Sequence, residues 1–306
     1  MKTLIFEPEG FPAKAIATLQ QLGPVILGPG PDAYDAEAVF VRLSTTINAT
    51  FHERFTKLRW IVSPTTGLNH IDVDYFIKHN VELLSLRGRI EFLDHIHATA
   101  EHTLALTLAL IRKIPQAANL VRDGKWDRYP FQGSELFGKT VMILGYGRIG
   151  RQVHARYKAF GCKIIANDID TTKVPRELWR PVKVAFAEAD ILSVHLPYDA
   201  TTHEYVDAAM LAMLKPGCIL INTSRGEILC QSALFSALRT GHLAGAALDV
   251  LVNEPTPVSA EVLTALGDLG DRLLITPHVA GFTHESLSSV EKFMAEQLHN
   301  AFLAKK

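Results

Sequence analysis

Three side chains in this sequence stand where they could do acid–base chemistry on a small anion. Arg225 lies in Asn222-Thr223-Ser224-Arg225-Gly226, Glu254 comes five residues after Asp249, and His278 follows Thr276-Pro277. Each comes just after an apolar run that reads as a strand. An arginine can hold a carboxylate and polarise a neighbouring carbonyl, a histidine can protonate a nascent alkoxide, and a glutamate can keep that histidine charged near neutral pH. Together these are the requirements for reducing a 2-keto acid. Taken singly, the three would be a surface arginine, a solvated loop carboxylate and a satisfied loop histidine. Their weight comes from following successive strands, because ligands of open parallel sheets bind at the carboxyl ends of the strands.

A second motif supplies a place for the hydride carrier. Gly145, Gly147 and Gly150 form GxGxxG directly after the apolar run 141–144 and at the start of a helical pattern. That context separates a dinucleotide site from a chance run of glycines. Gly145 permits the tight turn, Gly147 lets the backbone approach a pyrophosphate, and Gly150 lets helix and strand pack closely. The N–H groups of Arg148 and Ile149 would face the anion at the positive end of the helix. Asp168 follows Gly150 by eighteen residues, where an acid binds the adenosine ribose diol. An acid there, with Asp170 beside it, predicts NAD in preference to NADP, with Lys173 the nearby opposing charge.

The elements that must position these residues alternate between strand-like and helix-like segments, which indicates an α/β fold with mainly parallel sheets. A first series has strands over 3–6, 25–27, 38–41, 58–62 and 81–84, with helices over 12–21, 51–56 and 73–79. A long helix over about 97–114, apolar nearly all round, is stopped by Pro115. A second series has strands over 141–144, 162–166, 191–196, 218–222, 244–250 and 273–276, with helices that include 149–160 and 231–240. The polar, charged stretch 86–94 reads as a boundary, and the last helix, 285–303, as a return to the first series. The expectation is two Rossmann-like or flavodoxin-like domains with parallel sheets: residues 1–94 with 283–306, and an inserted NAD domain over 95–282.

Composition narrows the function classes. A chain of 306 residues suits two domains. With 31 basic against 32 acidic side chains and a net charge of −1, it lacks the basic footprint of a nucleic-acid binder. No apolar stretch reaches the roughly 18 residues of a membrane span, and the first residues read as a strand rather than a signal peptide. Three cysteines without CxxC spacing argue against disulfides and zinc, and for a reducing cytoplasm. Arg87, Arg89, His95, His97 and His102 crowd one stretch, but the histidines do not share a helix face, so no metal is expected.

These segments resemble the D-isomer-specific 2-hydroxyacid dehydrogenases from about Val39 to the C-terminal helix, and are most similar to phosphoglycerate dehydrogenases through Asp123-Gly124-Lys125-Trp126, the stretch 135–140 and the glycine motif. The resemblance implies a substrate domain with an NAD domain inserted, and a catalytic set in which Arg225 binds carboxylate and carbonyl, His278 exchanges the proton and Glu254 partners it. It also implies that Gly67 and Leu68, in Thr66-Gly67-Leu68-Asn69-His70, offer backbone amides to the substrate carboxylate. His195, Pro197 and Thr202 would lie along the adenosine and ribose, with Thr223 and Asp249 near the nicotinamide. Arg42 resembles a phosphate-contacting arginine; two residues on, where some relatives have a second arginine, stands Ser44.

The expected function is therefore NAD-dependent interconversion of a D-2-hydroxy acid and its 2-keto acid. 3-Phosphoglycerate is one substrate to test, and a hydroxypyruvate or glyoxylate reductase is the alternative. A non-enzymatic NAD-sensing, corepressor-like protein would keep the same residues and differ by lacking turnover. The apolar girth of the helix near 98–111 predicts a homodimer built on the NAD domains.

Overall fold

The computed structural model describes residues 1–254 and 257–305. They form two compact units: Met1–Ile96 with Thr283–Lys306, and His97–Phe282.

The first unit carries a parallel sheet of β1 (Thr3–Ile5), β2 (Val25–Leu27), β3 (Ala38–Phe40), β4 (Trp60–Ser63) and β5 (Glu82–Ser85), in the order β2-β1-β3-β4-β5. Its helices are α1 (Ala13–Gln20), α2 (Ala49–His52), α3 (Val73–Lys78) and α4 (Ile90–Leu93), joined by α12 (His284–Leu303) from the end of the chain. Alternate strand residues feed opposite faces. Ile5, Phe40, Trp60 and Val62 pack with Leu19, Met294 and Leu298 on one side, while Leu4, Val39, Val41 and Ile61 pack with Phe51 and Phe76 on the other. A sheet covered on both faces needs apolar residues in both registers, which is why its strands read as unbroken apolar runs. Residues 86–94 are not a bare linker: Leu86 is buried in this core, and so is Leu93, the last residue of α4.

The second unit comprises α5 (Ala98–Ile111), α6 (Ile114–Arg122), β6 (Thr140–Leu144), α7 (Arg148–Ala159), β7 (Lys163–Asn167), α8 (Val182–Glu188), β8 (Ile191–Val194), α9 (Ala208–Ala212), β9 (Cys218–Asn222), α10 (Gln231–Arg239), β10 (Leu243–Leu248), α11 (Ala260–Leu269) and β11 (Leu273–Ile275). Its sheet is parallel in the order β11-β10-β9-β8-β6-β7. The chain leaves β6 for β7 on one side and returns to β8 on the other, so the strand order reverses at β6. Met142 and Leu144 face one core layer; Val141 and Ile143 face the other.

The long helix expected up to residue 114 is two helices. α5 stops at Ile111, Lys113 takes a left-handed φ of +53°, and α6 restarts at Ile114 with Pro115 in its first turn, bent by 64° from α5. Pro115 therefore begins a helix, where its missing N–H costs nothing. The apolar girth of α5 is spent in the core: Ala98, Ala100, Leu106 and Leu110 are buried, and the helix packs across β9, β10 and β11. Among the described residues no single helix is long and apolar enough to cross a membrane.

Candidate active site

Arg225, Glu254 and His278 follow β9, β10 and β11, three adjacent strands, so all three sit at one carboxyl edge of the second sheet. His278 Nδ1 lies 2.5 Å from Glu254 Oε1, off the line of a hydrogen bond but in ion-pair contact. Both residues occupy left-handed backbone, Glu254 at φ +31° and His278 at +52°, with Asn253 at +57°. Non-glycine residues pay roughly 1–3 kcal/mol each for such conformations, which persist only where the surroundings over-determine them. The Nδ1 contact with Glu254 leaves Nε2 as the edge of the ring that can meet a substrate.

Arg225 is half-buried, and burial pulls its guanidinium below the usual value, while the carboxylates of Glu254 and Glu227 act in the opposite sense. It remains a cation at any working pH. Its loop is tied by Asn222, fully buried at the end of β9. The Asn222 side chain donates to the Arg225 carbonyl (2.9 Å) and accepts from the amide and hydroxyl of Ser224 (2.9 and 2.6 Å). Gly226 then lets this loop touch the next: a Cβ there would lie 2.0 Å from the Leu251 carbonyl carbon. Neither residue stood out in the sequence, although Gly226 directly follows Arg225 and an asparagine ends an otherwise apolar strand.

Asp249, expected beside the nicotinamide, anchors the histidine loop. It is 1% exposed, and its Oδ1 accepts from the Thr276 hydroxyl (2.5 Å) and the Val279 amide (3.0 Å), its Oδ2 from the Ala280 amide (2.8 Å). Burial alone would raise its carboxyl, but hydrogen bonds from His102, Thr276, Ala280 and Val279 outweigh it and hold the group below its ordinary value. Thr223 is also buried, with its hydroxyl 2.8 Å from that of Thr103.

The residues expected to cradle a dinucleotide fit one. Gly145 has φ +92°, and a Cβ there would lie 2.7 Å from the His195 carbonyl; a Cβ on Gly150 would lie 2.2 Å from the Gly145 oxygen. Gly147 faces open space and is the N-cap of α7, where it has no side chain to cap the first turn that carries the Arg148 and Ile149 amides. The Asp168 carboxylate is fixed by the amides of Tyr146 (2.8 Å) and Asp170 (2.9 Å). Lys173 is 3.5 Å from Asp170. His195 is partly exposed, yet burial of its ring pulls the imidazole well below its ordinary range, and its Nε2 meets Ser193 Oγ at 2.7 Å. Thr202 closes its own loop by donating to the Pro197 carbonyl at 2.8 Å.

In the first unit, Arg42 and the loop with Gly67 and Leu68 follow β3 and β4, at the carboxyl edge of that sheet. The Gly67 carbonyl accepts from Thr65 Oγ1 and the Leu68 carbonyl from the Ile71 amide. The Arg42 guanidinium is engaged: Nε donates to Glu291 Oε1 at 2.8 Å, a second nitrogen makes a closer contact with the same oxygen, and the third donates to the Glu9 carbonyl at 2.8 Å. Glu291 is fully buried, and burial raises its carboxyl despite Arg42. Ser44 turns its hydroxyl onto Glu7.

Comparison with known proteins places the chain in a family. The family model "D-isomer specific 2-hydroxyacid dehydrogenase, NAD binding domain" matches residues 104–280. D-3-phosphoglycerate dehydrogenase of Mycobacterium leprae is 35% identical over 271 residues, 87% of this chain and 49% of its own length. Glyoxylate reductase of Korarchaeum cryptofilum is 32% identical over 272 residues, 86% of this chain and 79% of its own. Among solved structures, TT0316 protein from Thermus thermophilus superimposes with a TM-score of 0.81 at 29% identity, covering 97% of this chain and 96% of its own. An acyclic imino acid reductase in complex with NADPH and D-Arg superimposes with a TM-score of 0.81 at 25% identity, covering 100% and 98%. The chain spans about half the length of the phosphoglycerate dehydrogenases that it matches.

Proposed function

The chain belongs to the D-isomer specific 2-hydroxyacid dehydrogenases, and from that membership we propose that it interconverts a D-2-hydroxy acid and its 2-keto acid with NAD. The observation that carries this reading is the His278–Glu254 contact on left-handed backbone, one strand away from the Arg225 loop. Arg225 would bind the substrate carboxylate and polarise the carbonyl. His278 would give its proton to the nascent alkoxide through Nε2, and Glu254, on the other side of the ring, would stabilise the imidazolium before transfer. In the oxidative direction the neutral ring takes the proton back. NAD, held by the first turn of α7 and by Asp168, would carry the hydride. Gly67 and Leu68 would add backbone amides for the carboxylate.

The substrate we propose is a small unphosphorylated 2-keto acid of the hydroxypyruvate or glyoxylate type. The phosphoglycerate dehydrogenase relatives make 3-phosphoglycerate the rival. The Arg42 head, however, is already matched by a buried carboxylate, and Ser44 adds no charge. A panel of 3-phosphohydroxypyruvate, hydroxypyruvate, glyoxylate and pyruvate with NADH tests this. The unphosphorylated acids should have the higher kcat/KM; a clear preference for the phosphorylated one would reverse the assignment. NADH binding with no turnover on any of them would favour the sensor reading.

We also place the protein in the cytoplasm, on its three unpaired cysteines, and propose that it works as a homodimer. The surface for that is α6, none of whose residues is buried, and the following arm, where Trp126 is 93% and Tyr129 81% exposed. Large aromatics left bare in this way mark an association surface.

A further inference from the structure

We propose that α5 is the positioning element of the active site, and that two adjacent residues on it, His102 and Thr103, pin the proton-transfer loop and the arginine loop respectively. The proposal rests on the reading of His278 and Arg225 given above. Neither pin was part of the catalytic set, and His102 belongs to the histidine-rich stretch that suggested no function in sequence.

His102 Nε2 lies 3.1 Å from Thr276 Oγ1 and 3.3 Å from Asp249 Oδ1. Thr276 donates in turn to the same Asp249 oxygen, and the amides of Val279 and Ala280 complete the carboxylate. The His278 amide lies between, donating to the backbone carbonyls of Asp249 (2.8 Å) and Thr276 (3.0 Å). The left-handed turn that aims His278 is thus held from both sides by Asp249, and the side chain reaching Asp249 and Thr276 from outside the two loops is His102. A Cβ on Gly281 would come within 4.0 Å of Thr99 Oγ1, so the first turn of α5 lies along the same loop. Residues 99, 102 and 103 share one helix face by their three- and four-residue spacing.

Thr103 makes the second pin. It is fully buried, donates back to the Thr99 carbonyl at 2.8 Å, and shares a 2.8 Å hydrogen bond with Thr223 Oγ1. Thr223 stands between Asn222 and Ser224, the two residues that shape the Arg225 turn. Because α5 packs across β9, β10 and β11, one rigid helix reaches the ends of the strands that carry Arg225, Glu254 and His278. Displacement of a reacting group by an ångström can cost about a hundredfold in rate, so both pins act on catalysis without touching substrate.

The two pins have separable signatures. His102→Ala should lower kcat for keto-acid reduction by about tenfold, with KM for NADH unchanged within twofold. His102→Gln, which keeps an N–H donor at the Nε2 position, should restore most of the loss. Thr103→Val should act mainly on KM for the keto acid, through Arg225, and Thr103→Ser should restore it. Amide exchange supplies a readout that needs no turnover: Val279 and Ala280 should exchange faster in His102→Ala and not in Thr103→Val. If the parent turns over no keto acid but this exchange pattern appears, the pinning stands and the assigned reaction fails. Unchanged exchange at Val279 and Ala280 in a folded His102→Ala protein would overturn the pinning. So would a kcat loss that His102→Gln does not rescue.

Discussion

At the scale of single residues, the account turns on two carboxylates. Glu254 supplies the counter-charge for an imidazolium at His278, and Glu254→Gln removes that charge while keeping the size. Glu254→Gln should lower kcat for keto-acid reduction by at least about tenfold, with NADH binding unchanged. Steady-state kinetics of parent and variant check this; an unchanged kcat would return Glu254 to an ordinary loop carboxylate. Asp168 decides the cofactor. Its carboxylate is fixed by two amides and Lys173 pairs with Asp170, an arrangement that suits a ribose diol and repels a 2′-phosphate. kcat/KM should be at least about tenfold higher with NADH than with NADPH, and equal efficiencies would contradict the assignment.

At the scale of elements, the histidine loop is built on the buried Asp249 carboxylate. Its folded value lies below the unfolded value of 3.8, so its stabilising contribution is complete above that value and is lost as pH falls through the folded one. Asp249→Asn should therefore destabilise the protein by about 2 kcal/mol at pH 7, with a smaller deficit at pH 3. Denaturant melts of both proteins at the two pH values measure this, and an equal deficit at both would mean that the charge is not what holds the loop. The same elements show what a sequence reveals. Strands β6 and β9, buried on both faces, read as apolar runs, and the residues just beyond such runs lie at the sheet edge, which made Arg225, Glu254, His278 and the glycine turn legible. What depends on contacts distant in sequence was not legible. Asn222 and Asp249 look like polar strand ends until their hydrogen bonds are seen. Arg42 meets its carboxylate on Glu291, 249 residues away. The break between α5 and α6 rests on one left-handed residue, Lys113, which no apolar period records.

At the scale of the whole molecule, the proposed homodimer would use the exposed face of α6 and the arm with Trp126 and Tyr129, in place of the α5 surface that composition suggested. Light scattering at micromolar concentration should give twice 33.8 kDa, and Trp126→Glu should shift the protein toward the monomer; a monomeric parent would refute the assembly. Reduction of a 2-keto acid through His278 can be checked by a single comparison. NADH oxidation would be followed for the parent and His278→Ala on the same keto-acid panel, with NADH affinity measured for both. The account predicts turnover by the parent, a loss of at least about a hundredfold in the variant, and NADH binding that is unchanged. A parent that binds NADH and reduces none of the acids, or a His278→Ala protein as active as the parent, would contradict it.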